Sequence, residues 1–230
     1  MSGNETSELQ TVDFALGAFM SDGFQGLNPL NGPIQWREFL ARPRNKQIYR
    51  HDFDSPQEFV ASLLGARSNE KTVSGVKVNL PSIPVMIYCR KPGFTNGEDY
   101  AAVKNKRVWD TVLETGYQLR PLPLILTYKL AFLAWDKLTL DKLQLAWYAY
   151  IAWNNQFAVT YGIGSDTFDT LGMIRGNKTV IFSDSSIPSK EGRLYVVETS
   201  LEVATQVLFG QAVTTPETLT LTGVYVRNMT

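Results

Sequence analysis

Pro121-Leu122-Pro123-Leu124-Ile125-Leu126-Thr127-Tyr128-Lys129-Leu130-Ala131-Phe132-Leu133-Ala134-Trp135 is the stretch on which the fold turns. Two prolines lead into residues 124–135, which are rich in β-branched and aromatic side chains with no interior Pro or Gly, the make-up of a long central strand. Directly afterwards Thr139-Leu140-Asp141-Lys142 opens a helix with Thr139 as N-cap. Leu143, Ala146, Trp147, Tyr150 and Ile151 then recur at three- and four-residue steps on one face, to an end near Asn154-Asn155. A long strand running into an amphipathic helix points to an α+β chain.

Upstream, Val85-Met86-Ile87-Tyr88-Cys89 reads as a short apolar strand, and Val76, Val78 and Leu80 alternate with Lys77 and Asn79 as a half-buried one. Ser55-Pro56-Gln57-Glu58 is a helix start: Ser55 as N-cap, Pro56 at the first helical position and Glu58 closing a capping box, with a stop at Gly65. Residues 8–21 predict an N-terminal helix ending near Gly23, and Asn28-Pro29-Leu30-Asn31-Gly32-Pro33 a turn. The breaker-rich residues 91–99 predict a loop, and 103–113 a helix or an arm. Downstream, 157–161, 179–182, 194–203 and 219–226 read as strands separated by Gly-rich turns. The expected organisation is one α+β domain over residues 1–230, a central, mostly antiparallel sheet flanked by helices, with extended loops or arms at about 91–118 and 162–178. No internal repeat, heptad tract or low-complexity segment interrupts it.

The chain has 230 residues, 44% apolar and 19% charged, enough apolar surface to offset chain entropy. Its formal net charge is zero, which argues against a generic polyanion binder and leaves little self-repulsion to oppose assembly. A single cysteine, Cys89, rules out an intramolecular disulfide, is compatible with a reducing cytoplasm and reads as a small buried hydrophobe. The N-terminal Met1-Ser2-Gly3-Asn4-Glu5 carries acid where a signal peptide needs a basic region. The most apolar tract, 119–158, is interrupted by Lys129, Asp136, Lys137, Asp141 and Lys142, so no membrane span is expected.

Catalytic motifs are sparse. The only histidine, His51, sits among charged neighbours and reads as a solvated or hydrogen-bonded surface residue. A Cys89–His51 nucleophile and base rests on residue type alone. Gly162-Ile163-Gly164-Ser165-Asp166-Thr167 lacks the spacing of a phosphate loop and reads as a turn. Asp166 and Asp169 lack the acid spacing of a calcium loop, so neither metal nor cofactor is expected. Arg37, Arg42, Arg44, Lys46 and Arg50, with Trp36 and Tyr49, make a basic aromatic stretch. It is read as a loop or β-arm whose charges are solvated or meet a neighbouring subunit rather than DNA, because Glu38, Asp52 and Asp54 dilute its field. With Trp135, Trp147 and Trp153, the interface candidates are Trp36, Arg42, Arg44, Trp135, Trp147 and Trp153.

The order of elements, together with Leu80-Pro81-Ser82-Ile83-Pro84-Val85 and the Pro121-Leu122-Pro123 segment running through Thr127-Tyr128-Lys129 into the helix of 139–153, resembles the tail terminator (tail completion, or neck) proteins of contractile-tailed bacteriophages. The resemblance implies an α+β ring subunit without catalytic residues or cofactors. It implies a homo-hexamer that caps the tail tube and sheath and docks to head–tail connector proteins. Such a subunit would reside in the virion neck after assembly in the host cytoplasm, make no membrane contact and touch DNA only through a channel lining. Two other readings stand beside it: another head–tail connector adaptor or baseplate protein, and a metal-dependent hydrolase using Asp166, Asp169 and His51.

Overall fold

The run at 121–135 forms the end of a strand that starts earlier than its composition suggests. The computed structural model describes residues 8–28, 32–51, 83–97, 106–110, 115–163, 166–189 and 192–212. There β5 spans Thr115–Ala134 and pairs antiparallel with β10, Gly192–Ala212, which is one residue longer, from Tyr195 opposite Ala134 to Ala212 opposite Tyr117. Pro121 and Pro123 lie inside β5, and the ladder explains why they are tolerated. Gly97 N–H donates to Pro123 O (3.0 Å) and Lys91 N–H to Thr127 O (2.8 Å), so the odd-numbered residues of β5 turn their backbone groups away from β10. The two missing proline N–H groups are therefore on the side where β10 does not pair, and the β5–β10 ladder loses nothing.

The remaining strands are β1 (Ile48–Arg50), β2 (Val85–Arg90), β3 (Thr95–Asn96), β4 (Lys106–Asp110), β6 (Gln156–Ile163), β7 (Asp166–Arg175), β8 (Ser183–Asp184) and β9 (Ile187–Ser189). The main order is β1-β2-β5-β10-β7-β6; β3 and β4 pair along β5, and β8 and β9 along β10. Every pairing is antiparallel except β1 with β2, so the sheet is mixed. Helix α1 (Glu8–Asp22) packs against β1, β6 and β10. One helix touching both ends of the strand order means that the sheet curls around it.

Helices α1, α2 (Ile34–Leu40) and α3 (Lys137–Trp153) all contribute to one core cluster on one sheet face. Val12, Leu16, Phe19 and Met20 of α1 meet Tyr128, Phe132, Leu143 and Trp147 there. Because side chains alternate along a strand, Val85, Ile87, Cys89, Ala131, Leu133, Leu194 and Val196 form a second cluster on the other face, and Cys89 is buried as expected. The architecture is α+β, three helices on a curled mixed sheet.

Several expectations change. Residues 37–50, read as a loop or β-arm, are α2, a 3-10 turn at Arg44–Lys46 and β1. Pro33 is extended and bonds no further back, while Trp36 and Phe39, one turn apart, enter the core together with their rings 6.0 Å apart. Asp136, not Thr139, caps α3: its Oδ1 accepts from Thr139 N–H at 2.7 Å, and Thr139 is buried in the first turn. Asp166–Arg175, expected within an extended loop or arm, is strand β7 of a hairpin with β6. Residues 179–182 form no strand; Thr179 N–H and Oγ1 both donate to Gly176 O, closing a turn, and Phe182 packs on Trp147. Part of the undecided 103–113 segment is β4, a hairpin partner of β5. The helix expected at 55–64 and the strands at 76–80 and 219–226 lie outside the described residues.

Candidate interaction surfaces

Helix α3 is apolar on two opposite faces. Leu140, Leu143, Trp147 and Ile151 are buried against the sheet, whereas Leu138, Leu145 and Trp153, spaced by two turns, point outward. They are 57%, 68% and 88% exposed, on the side where an amphipathic helix carries polar and charged residues. Ala149 continues the exposed line and Asp141 is the acid within it. The sequence showed this stripe in the 138, 145, 149, 153 spacing, hidden because Leu143 and Trp147 already accounted for the helix.

The six interface candidates separate cleanly. Trp36 and Trp147 are core residues, 4% and 0% exposed, and cannot reach a neighbour. Trp135 is partly buried beside the second cluster, and its backbone N–H donates to Gln35 Oε1 at 3.3 Å. Arg42 is turned inward: Nη1 donates to Pro84 O (2.5 Å), Nη2 to Ile83 O (3.3 Å), and the guanidinium lies 5.9 Å from the centre of the Phe39 ring. Burial lowers its pKa. Arg44 pairs with Asp22 at 2.7 Å on an exposed site. Only Trp153 and Arg44 are open to a partner through most of their side chains.

A buried charge knot, which sequence reasoning missed, joins α1 to the sheet. Asp13 is fully buried; its Oδ1 accepts from Tyr128 Oη (2.7 Å) and Arg90 Nε (3.1 Å), and its Oδ2 forms an ion pair with Arg50 Nη2 at 2.9 Å without hydrogen-bond alignment. Tyr88 Oη donates to the Asp13 backbone carbonyl at 2.9 Å. Burial, reinforced by the Asp13 charge, pushes the Tyr88 hydroxyl up to about 12 and raises Tyr128 further still. A buried acid in an otherwise apolar helix face was the available signal; its partners lie 37 to 115 residues away, beyond any local pattern.

On the far side of β2, β5 and β10 an open groove of about 860 Å³ is lined in part by Cys89, Lys91, Lys129, Glu198 and Ser200. Lys129 and Glu198 pair across it at 2.9 Å. His51 follows β1, where its backbone N–H donates to Tyr88 O, while Asp166 and Asp169 lie on β7, four places along the strand order. Among the described residues no group of three or more His, Cys, Asp or Glu is placed to hold a metal ion. None of the described helices is long and apolar enough to cross a membrane. Comparison with known proteins finds no family model and no curated protein that matches this chain.

Proposed function

We propose that the chain is a structural subunit of a contractile-tailed bacteriophage, a tail terminator that assembles as a hexameric ring in the neck. On this reading one surface of the ring meets the tube and sheath and another the head connector, and the subunit catalyses nothing. The observation that carries it is the outer stripe of α3. Leu138, Leu145 and Trp153 give a helix already packed on one side a second apolar side, and such a face is used for association. The sequence resemblance supplies the kind of assembly, and a ring needs two different contact surfaces whose rotation closes.

The test is the mass of the purified protein by light scattering over a concentration series, with and without purified tails. A hexamer, or a monomer that forms rings only at tail ends, supports the proposal. A monomer at every concentration that ignores tails overturns it. A ring that binds connectors but not tails favours the connector-adaptor reading, which shares the same surface.

A further inference from the structure

β6 ends the strand order and, among the described residues, pairs only with β7. Ile174 N–H donates to Asn155 O at 2.8 Å, and the register continues with Gln156 opposite Met173 to Ile163 opposite Asp166. Alternation of an antiparallel ladder then gives the odd-numbered residues of β6 to β7 and turns the N–H and C=O groups of Ala158, Thr160 and Gly162 outward. These outward groups meet no hydrogen-bond partner among the described residues. Edge strands are normally blunted by Lys, Pro or bulges. Gln156–Ile163 has none of these and no charged residue at all.

The space beside the edge is shaped for a strand. A groove of about 420 Å³ runs between β6 and α1, lined by Thr11, Phe14, Ala15, Ala158, Thr160 and Gly162. Small residues keep the wall low, and a Cβ placed on Gly162 would meet nothing within 4 Å. Phe14 stands 55% exposed on the helix side, held by the Arg50 guanidinium 5.5 Å from its ring centre. On the opposite side, Thr160 Oγ1 donates to Asp169 Oδ1 at 2.6 Å, which places an acid on the outer face of the hairpin.

We propose that the open edge of β6 is a docking site at which an extended segment of a partner protein adds as a further strand. Its side chains alternate between apolar ones, against Phe14 and Ala15, and Lys or Arg, beside Asp169. Main-chain hydrogen bonds to Ala158, Thr160 and Gly162 supply affinity, and the two-sided lining supplies the sequence preference, as in other strand-addition sites. The site goes beyond the ring reading and stands without it, since a monomer presents the same edge.

A fluorescent, end-blocked peptide alternating Val and Lys over six residues is the probe, titrated with the full chain and followed by anisotropy. Saturable binding is expected, weakened about tenfold or more by Thr160→Pro, which removes an N–H that β7 does not use together with the hydroxyl's bond to Asp169; Thr160→Val removes that hydroxyl alone and is expected to keep most of the binding. The same peptide N-methylated on alternate amides needs no protein variant and is expected to lose binding, and replacing its Lys by Glu is expected to weaken it. Absence of saturation up to about 1 mM, or equal binding of the methylated peptide, overturns the proposal. A mass that rises with protein concentration and falls back in Thr160→Pro would seat a second copy of this chain on the edge and overturn the foreign segment. Failure here leaves tail binding untouched, and failure of tail binding leaves the peptide result untouched.

Discussion

Helices α1 and α3 pack on the same face of the same sheet and each breaks the inside–outside rule in the opposite sense. α1 buries a charge, Asp13, and leaves Phe14 half outside; α3 buries only apolar and neutral groups and leaves Leu138, Leu145 and Trp153 outside. The inward exception is satisfied within the chain by Arg50, Arg90 and Tyr128, so it belongs to folding. The outward exception has nothing within the described residues to satisfy it, so it belongs to association. Charge buried and paired specifies where α1 sits; apolar surface left open specifies that something else arrives.

The largest expected effect is on the inward side. Asp13→Ala removes the carboxylate that, among the described residues, pairs with both Arg50 and Arg90, 29% and 20% exposed, and strands the Tyr128 hydroxyl. Breaking one side of such a buried pair costs about 3–5 kcal/mol. Urea unfolding measures it; a loss below about 1 kcal/mol, the size expected of a surface pair, would erase the contrast between the two helices. Replacing Gly17, one turn along from Asp13, by Ala would act in the same place, because its Cβ would run into the Tyr88 hydroxyl that holds the Asp13 carbonyl.

The same knot sets an alkaline limit. Tyr88 is raised to about 12 when folded, against an ordinary value of about 10 in the unfolded chain. A group whose folded pKa is raised favours the folded state while it keeps its proton, so this stability is fully present below about pH 10 and is lost as pH rises through about 12. Unfolding midpoints measured from pH 8 to 12 should fall steadily above pH 10. Tyr88→Phe lowers stability at neutral pH by about 1 kcal/mol, the worth of its bond to Asp13, and makes the alkaline fall shallower by about one proton. An unchanged slope would place the dependence on the other tyrosines that burial raises, Tyr128 and Tyr161 among them.

What was legible in the sequence follows from how far each signal reaches. The long strands, the α1 and α3 helices and the burial of Cys89 depend on local composition and period, and they stand in the structure. The start of β5 was hidden because proline is read as a strand breaker, and only the side to which Pro121 and Pro123 turn makes them harmless. Asp136 and Thr139 are both good caps three residues apart, and composition alone does not say which side chain turns to the open N–H groups of α3. The β6–β7 hairpin was masked by its glycines, and α2 by the prolines and charges around two core aromatics. Of the surfaces, Trp153 was visible and the Asp13 knot was not, because its parts are assembled by β1, β2 and β5 from distant segments.

The smallest effect on folding is expected where the effect on assembly is greatest. Trp153 is 88% exposed at the last position of α3, so Trp153→Ala removes almost no buried area and should change the free energy of unfolding by no more than about 0.5 kcal/mol. Leu145→Ala, at 68% exposure in mid-helix, should behave alike, since Ala is the better helix former. Yet the pair forms the most exposed part of the stripe, and large aromatic anchors carry a disproportionate share of association energy. Light scattering of the double variant should therefore show a smaller mass, or no addition to tails, at concentrations where the unaltered chain assembles. Equal assembly would move association from α3 to the sheet edges. A variant that unfolds would show that the stripe is covered within the chain, and α3 would then obey the same rule as α1.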